Sequence, residues 1–196
     1  MTSLLRGTAF ITGAAKGIGR ATAEAFARHG VTRLALADID TDGLSKTREI
    51  IRARCPDATV MELQLDVRQS GQVRDALAEI AKRFGRLDIA VNNAGVAGRG
   101  HRTHEMADEE WAGVADIDLF GVWRCQKEEL VTMVGQEDLG VREGRGKIIN
   151  VASMYGLKAT GPHLPATPYV ASKHGKDHSC TESLASQERM RTATAI

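Results

Sequence analysis

Apolar positions along the chain recur in two rhythms that take turns. Runs that are apolar throughout, or alternate every second residue, mark strands, and runs repeating every three to four residues mark helices. Ala9-Phe10-Ile11 is the first strand signal, and a helical stripe follows through Ile18, Ala21, Thr22, Ala25, Phe26 and His29. Leu34–Ala37 is a second short strand closed by Asp38, and residues 42–54 read as a helix with Leu44, Thr47 and Ile51 on one side. Residues 59–65 alternate and end at Asp66-Val67. Next come a helix carrying Val73, Ala76, Leu77, Ile80, Ala81 and Phe84, and a strand at Leu87–Val91. A turn at Asn92-Asn93-Ala94-Gly95 leads to a long helix over 109–134, and Lys147–Ala152 closes the series as a fifth strand.

Five strands alternating with helices predict an α/β fold, a three-layer, doubly wound parallel sheet of Rossmann-like form. Ligands of such a sheet gather beyond the C-terminal strand ends, where Asp38, Asp66, Asn93 and Ser153 fall. No repeat or linker interrupts the pattern, so residues 1–196 read as one domain, with surface loops at 97–105 and 135–146.

Between the first strand and its helix lies Thr12-Gly13-Ala14-Ala15-Lys16-Gly17-Ile18-Gly19. Strand, glycine turn and helix together bring backbone N–H groups and a positive helix end onto a phosphate. Gly13 permits the sharp exit from the strand, Gly17 a close approach by a pyrophosphate, and Gly19 close packing of helix on sheet. Alone, the spacing also suits a turn that binds nothing. Asp38, at the second strand end, can accept hydrogen bonds from an adenosine ribose and would repel a 2′-phosphate, which favours NAD over NADP. Lys16 pulls mildly the other way, and a helix cap is the plain alternative for Asp38. Asp66 suits an adenine amino group or an ordinary loop carboxylate.

Composition excludes several partners. Lys plus Arg number 26 and Asp plus Glu 25, a net charge of +1, which gives no footprint for nucleic acid or an anionic membrane surface. No apolar run is long enough to span a bilayer, and the first residues lack the apolar centre of a signal peptide. Cys55, Cys125 and Cys180 are scattered without metal spacing, and the chain reads as cytoplasmic. His101, His104, His163, His174 and His178 read as solvated side chains, so no metal site is expected. Trp111 and Trp123 read as helix packing residues.

Tyr169-Val170-Ala171-Ser172-Lys173 places a phenol and an ammonium one helical turn apart, and Pro168 suits a first helical turn. A phenol with pKa near ~10 exchanges protons at neutral pH only where a cation stabilises its phenolate. Taken alone, the pair also fits two surface residues. Taken in order with Thr12-Gly13-x-x-x-Gly17-x-Gly19, Asp66-Val67, Asn92-Asn93-Ala94-Gly95 and Ser153, it resembles the classical short-chain dehydrogenases/reductases across residues 7 to about 175.

That resemblance implies an NAD(P)-dependent oxidoreductase transferring hydride between a nicotinamide and a carbonyl or secondary alcohol. Tyr169 would be the general acid/base, Ser153 would hydrogen-bond the reacting oxygen, and Lys173 would hold the nicotinamide ribose and favour the phenolate. Gly13, Gly17, Ile18 and Gly19 would wrap the pyrophosphate, Lys16 in the same turn would be a further cofactor-binding residue, Asp38 and Ile39 would meet the adenosine ribose, and Asp66 and Val67 the adenine. Asn93, Ala94 and Gly95 would meet the middle of the dinucleotide. The implied cofactor is NAD before NADP, the implied partner a small alcohol or ketone, and the implied assembly a homo-oligomer through helices 109–134 and 169 onward.

Two departures qualify the resemblance. The family's usual Asn in the long helix is Asp118 here, which is expected to point inward and to favour a protonated Lys173 while opposing a phenolate at Tyr169. From Lys176 the apolar stripe stops, and 176–196 reads as an atypical tail, resembling an out-of-frame or alternatively spliced end. The expectation is therefore that the family's last strands are missing, the fifth strand has an unpaired edge, and the substrate pocket lacks a wall. Marginal stability and a doubtful oligomer follow. The alternative function is a cofactor-binding but catalytically inactive chain; a Rossmann-like methyltransferase gives Tyr169 and Lys173 no role.

Overall fold

A strand buried along its whole length lies in the middle of the sheet. β1 (Thr8–Thr12) is buried at all five residues and lies between β2 (Arg33–Asp38) and β4 (Ile89–Asn92). The computed structural model describes residues 5–140, 143–161, 164–179 and 191–195, with backbone alone for 177–179 and 191–195. With β3 (Thr59–Gln64), β5 (Lys147–Val151) and β6 (Arg191–Ala195), the order is β3-β2-β1-β4-β5-β6. Every pairing is parallel, and Phe10 sits opposite Ala35 on one side and Ala90 on the other.

Alternation sorts the strand residues onto two faces. Phe10, Ala35, Met61, Ala90 and Ile148 pack with Val73, Leu77, Ile80 and Phe84 of α3 (Ser70–Phe84) and Cys125 and Met133 of α5 (Val122–Val134). Ala9, Ile11, Leu34, Leu36, Ile89 and Val91 pack with Ala23 and Ala27 of α1 (Gly17–Arg28) and Leu44 and Ile51 of α2 (Thr41–Arg54). Each fully buried Leu or Ile contributes about 1.5–3 kcal/mol. α4 (Asp108–Ala115) and α6 (Thr167–Ser179) complete the layers.

The architecture is the expected α/β parallel sheet, with three corrections. First, the described residues hold six strands rather than five: β6 pairs with β5 from Lys147↔Arg191 to Val151↔Ala195, so the β5 edge is covered. A parallel ladder is made of backbone hydrogen bonds, which a polar Thr-Ala alternation forms without an apolar signature. Second, the buried face of α1 is Gly19, Ala23 and Ala27, and Ile18 is 66% exposed. Small residues let that helix approach the sheet, and the larger apolar residues flank the contact. Third, the helix expected over 109–134 is interrupted by a π turn, Asp116–Gly121, between α4 and α5. Arg124 donates to the Asp116 carbonyl at 3.2 Å and to its carboxylate at 2.7 Å, closing the widened turn. The Trp111 and Trp123 side chains, expected to pack, are 41% and 56% exposed. His163, Cys180, the His178 side chain and residues 184–190 lie outside the described residues.

A polar seam crosses the apolar layer under β4 and β5. Asn92 and Asn150 are register partners, and the Asn92 amide donates to Asn150 Oδ1 and to Glu129 Oε2, both at 2.9 Å. Asn150 in turn donates to Gln126 Oε1 at 2.9 Å. Burial pushes the Glu129 carboxyl up to about 8, against the opposing pull of the Asn92 donor and the Lys176 charge. Between the ordinary value of 4.5 and about 8 the folded chain thus holds a proton that the unfolded chain has lost. Stability falls as pH rises through that window. Glu129→Gln keeps an acceptor for Asn92 and removes the ionisation. Urea unfolding from pH 4 to 9 is expected to show the variant matching the unmodified chain in acid and gaining on it progressively up to about pH 8.

Candidate active site

Asp38, Asp66, Asn93 and Ser153 stand at or just beyond the C-terminal ends of their strands. Thr12 ends β1, and its hydroxyl accepts the N–H groups of Asn93 and Ala94, both at 3.1 Å. The Asn93 amide donates to the carbonyls of Thr12 and Gly13 at 3.0 and 3.2 Å. These four bonds tie the turn after β4 to the glycine turn after β1. Gly13 and Gly17 hold φ of +67° and +56°, a region that glycine enters without strain. A Cβ on Gly19 would fall 2.2 Å from the Gly13 carbonyl oxygen, so only glycine fits there. On the outer side Thr47 donates to the Ala14 carbonyl at 3.0 Å, and Arg20 reaches the Ala15 carbonyl.

The turn leaves room for an anion. Lys16 is exposed and precedes α1 without a side-chain cap, and the first turn of α1 has no acidic residue. A Cβ on Gly17 would meet nothing within 4 Å. Open N–H groups at a helix start, a close backbone and clear space suit a pyrophosphate. Asp38 stands at the mouth, accepting the N–H groups of Ala15 at 3.0 Å and Asp40 at 3.1 Å and retaining lone pairs for further donors. Ile39, like Ile18, is 66% exposed beside it.

Farther along the edge the residues are more committed. Asp66 takes a two-pronged ion pair from Arg68, closest at 2.6 Å, which holds its carboxyl below the ordinary value. Val67 is buried against the π turn, where a Cβ on Gly121 would lie 2.7 Å from its methyl group. Gly95 has a comparable task, because its missing Cβ would sit 3.1 Å from Asp118.

Asp118 and Lys173 form the electrostatic centre. Asp118 is fully buried, accepts the Val96 N–H at 2.7 Å, and faces the Lys173 ammonium at 3.4 Å. Burial pushes its carboxyl above the ordinary value, opposed by Lys173, the Val96 N–H and Lys176. Lys173 also donates to the Val151 carbonyl at 3.3 Å and lies 5.2 Å from the centre of the Tyr169 ring. Tyr169 and Lys173 therefore share one face of α6, as their spacing predicted. Ser153 begins a 3-10 turn, Met154–Gly156, against which α6 packs, and its Oγ accepts the Tyr155 N–H at 3.2 Å. No hydrogen bond joins Ser153 to Tyr169 among the described residues.

The model of the short chain dehydrogenases matches residues 7–194. The chain belongs to the short-chain dehydrogenase family. Levodione reductase of Leifsonia aquatica is 34% identical over 165 residues, covering 84% of this chain and 58% of that protein. A crystal structure of levodione reductase superposes with TM-score 0.81 at 32% identity, over 90% of this chain and 64% of the other. Carveol dehydrogenase from Mycobacterium avium, in complex with NAD, gives TM-score 0.80 at 29% identity over 92% and 65%. An alcohol dehydrogenase from the archaeon Thermococcus sibiricus, complexed with 5-hydroxy-NADP, gives 0.84 at 28% identity over 97% and 75%. The chain thus spans a little under three fifths of the levodione reductase sequence it matches. Among the described residues no helix is long and apolar enough to cross a membrane, and no group of His, Cys, Asp or Glu could hold a metal ion.

Sequence reasoning passed over Thr12 as a clamp, Thr47 and Arg20 as supports of the glycine turn, and the buried role of Glu129 and Lys176. Thr47 had a signal in its place on the buried stripe of α2. Removing Lys173 leaves Asp118 buried without its cation, a change that typically costs about 3–5 kcal/mol. Lys173→Met is expected to lower the melting temperature sharply, and Asp118→Asn added to it to recover a large part of the loss. A double-mutant cycle by urea unfolding checks both.

Proposed function

We propose that the chain binds a nicotinamide dinucleotide, NAD in preference to NADP, along the C-terminal edge of the sheet. The reaction proposed is oxidoreduction between a secondary alcohol and a ketone, with Tyr169 as general acid/base. One observation carries this reading: the Lys173 ammonium lies beside the Tyr169 ring at the same sheet edge as the open glycine turn. Gly13, Lys16, Gly17, Ile18 and Gly19 would hold the pyrophosphate, and Asp38 and Ile39 the adenosine ribose. Asp66, Val67 and the backbone of Asn93, Ala94 and Gly95 would line the remainder.

When bound, the nicotinamide supplies or takes the hydride. The residues of this chain handle the proton. Reduction needs a proton delivered to the carbonyl oxygen by the Tyr169 hydroxyl, and oxidation needs one removed by its phenolate. Lys173 stabilises that phenolate by charge, and Ser153 would donate to the same substrate oxygen. Support for NAD comes from the Asp38 carboxylate at the mouth of the turn and from carveol dehydrogenase, solved with NAD. Exposed Trp111 and Trp123 support a homo-oligomer through α4 and α5, and the free thiols of Cys55 and Cys125 accord with a cytoplasmic setting.

A second reading, cofactor binding without turnover, is favoured by the Lys173 ammonium, which Asp118 and Val151 already engage. Fluorescence titration separates the readings. NADH is expected to bind at least about tenfold more tightly than NADPH, about 1.4 kcal/mol, and Asp38→Ala to erase that preference. On a panel of secondary alcohols and ketones, Tyr169→Phe is expected to lower kcat by about 10²–10⁴ while NADH still binds. Binding with no turnover on any of them would select the second reading.

A further inference from the structure

Two ammonium groups converge on one carbonyl at the end of β5. Lys176, three residues beyond Lys173, is 1% exposed, and its Nζ donates to the Val151 oxygen at 2.8 Å and to the Asn92 oxygen at 3.4 Å. Lys173 donates to that same Val151 oxygen at 3.3 Å. A buried lysine is costly unless acceptors and opposite charge surround it. Lys176 has two backbone carbonyls at its ammonium, and the Asp118 carboxyl group lies within reach of its field. Glu129 is tied to it through Asn92, whose side chain donates to the carboxylate and whose carbonyl accepts from the lysine.

We propose that Lys176 is a second cationic positioning residue of the Tyr169–Lys173 site, sharing the Val151 carbonyl with Lys173 and holding that ammonium beside Asp118 and the phenol. The proposal rests on the reading of Tyr169 and Lys173 as the proton-handling pair. Like charges on one oxygen repel, so Lys176 presses Lys173 toward Asp118, which supplies the compensating negative charge. The cluster thus joins two lysines with two carboxyl groups, all four buried. Among the described side chains, other ionisable groups on the elements packed against α6 are engaged elsewhere or lie away from it. Glu110 of α4 pairs with His101, Asp116 of the π turn with Arg124, and His174 of α6 bonds the Val170 carbonyl. Asp108 and Glu109 sit in the exposed first turn of α4. Tyr155 lies in the 3-10 turn, and Cys125 is a buried thiol whose titration burial pushes well up.

A change in the placement of the Lys173 ammonium changes the ionisation of the phenol whatever the substrate. The chain has two tyrosines, so labelling at ¹³Cζ gives two carbon resonances, which Tyr155→Phe assigns. Lys176→Met is expected to raise the midpoint of the Tyr169 titration by about 0.5–1 pH unit, and Lys176→Arg to leave it near that of the unmodified chain. Equal shifts in both variants would mark a packing role and overturn the proposal, as would no shift in a folded Lys176→Met. If Lys176→Met fails to fold, Lys176→Gln decides, since it keeps a donor for the Val151 carbonyl and removes the charge: a raised midpoint supports the proposal and an unchanged midpoint overturns it. Lys173→Met serves as the reference. A shift with Lys173→Met and none with Lys176→Met removes Lys176 alone, whereas no shift with either also removes the Tyr169–Lys173 pairing.

Discussion

A single hydroxyl holds the two halves of the site in register. Thr12 Oγ1 takes two N–H groups from the turn after β4, and Asn93 returns two donors to the carbonyls around Gly13. Both turns leave the sheet through conformations that secondary structure does not satisfy, so their polar groups need partners. Each turn supplies the partners of the other. The glycine turn is thereby fixed without occupying its outward N–H groups, which stay free for an anion. Asn93 thus acts first as a brace between turns.

The same economy appears deeper in the molecule. Asn92, Asn150, Gln126, Glu129 and Lys176 form a polar seam in a layer otherwise made of aliphatic and aromatic side chains. Such seams fix which strand lies beside which and which helix covers them, since slippage by one residue would strand every donor. The seam runs to Lys173 through the Val151 carbonyl. The interior of the sheet and the chemistry at its edge therefore share one set of charges.

Much of this was legible in the sequence. The strand and helix rhythm gave the parallel sheet, and the order of glycine turn, Asp38, Asn93, Ser153 and Tyr169 placed the polar residues at one edge. What escaped has a common physical origin. α1 buries Gly19, Ala23 and Ala27, and small residues carry almost no periodic signal although they permit the closest packing. β6 is held by backbone bonds that composition does not announce. Lys176, read as the start of an atypical tail, is buried where carbonyls from β4 and β5 meet at its ammonium and carboxyl groups of the π turn and α5 lie within its field, a convergence that only the fold creates. Asp66 and Val67 were correctly placed at a strand end, yet the pull of Arg68 on one and the burial of the other came from neighbours the linear pattern does not reveal.

The π turn at Asp116–Gly121 makes the effect of a change in length depend on where in the helix it falls. Each residue advances an α-helix by about 100°, and a π turn takes up a residue more than an α turn does. Deleting one residue within the turn would let it relax to ordinary i→i−4 bonding and leave Cys125, Glu129 and Met133 facing the sheet. The same deletion early in α5 would swing the residues after it away from the sheet. Half-exposed Phe120 in the turn can be exchanged for many side chains with little consequence. The turn is thus permissive in spelling and in count, and the helix after it is strict in count.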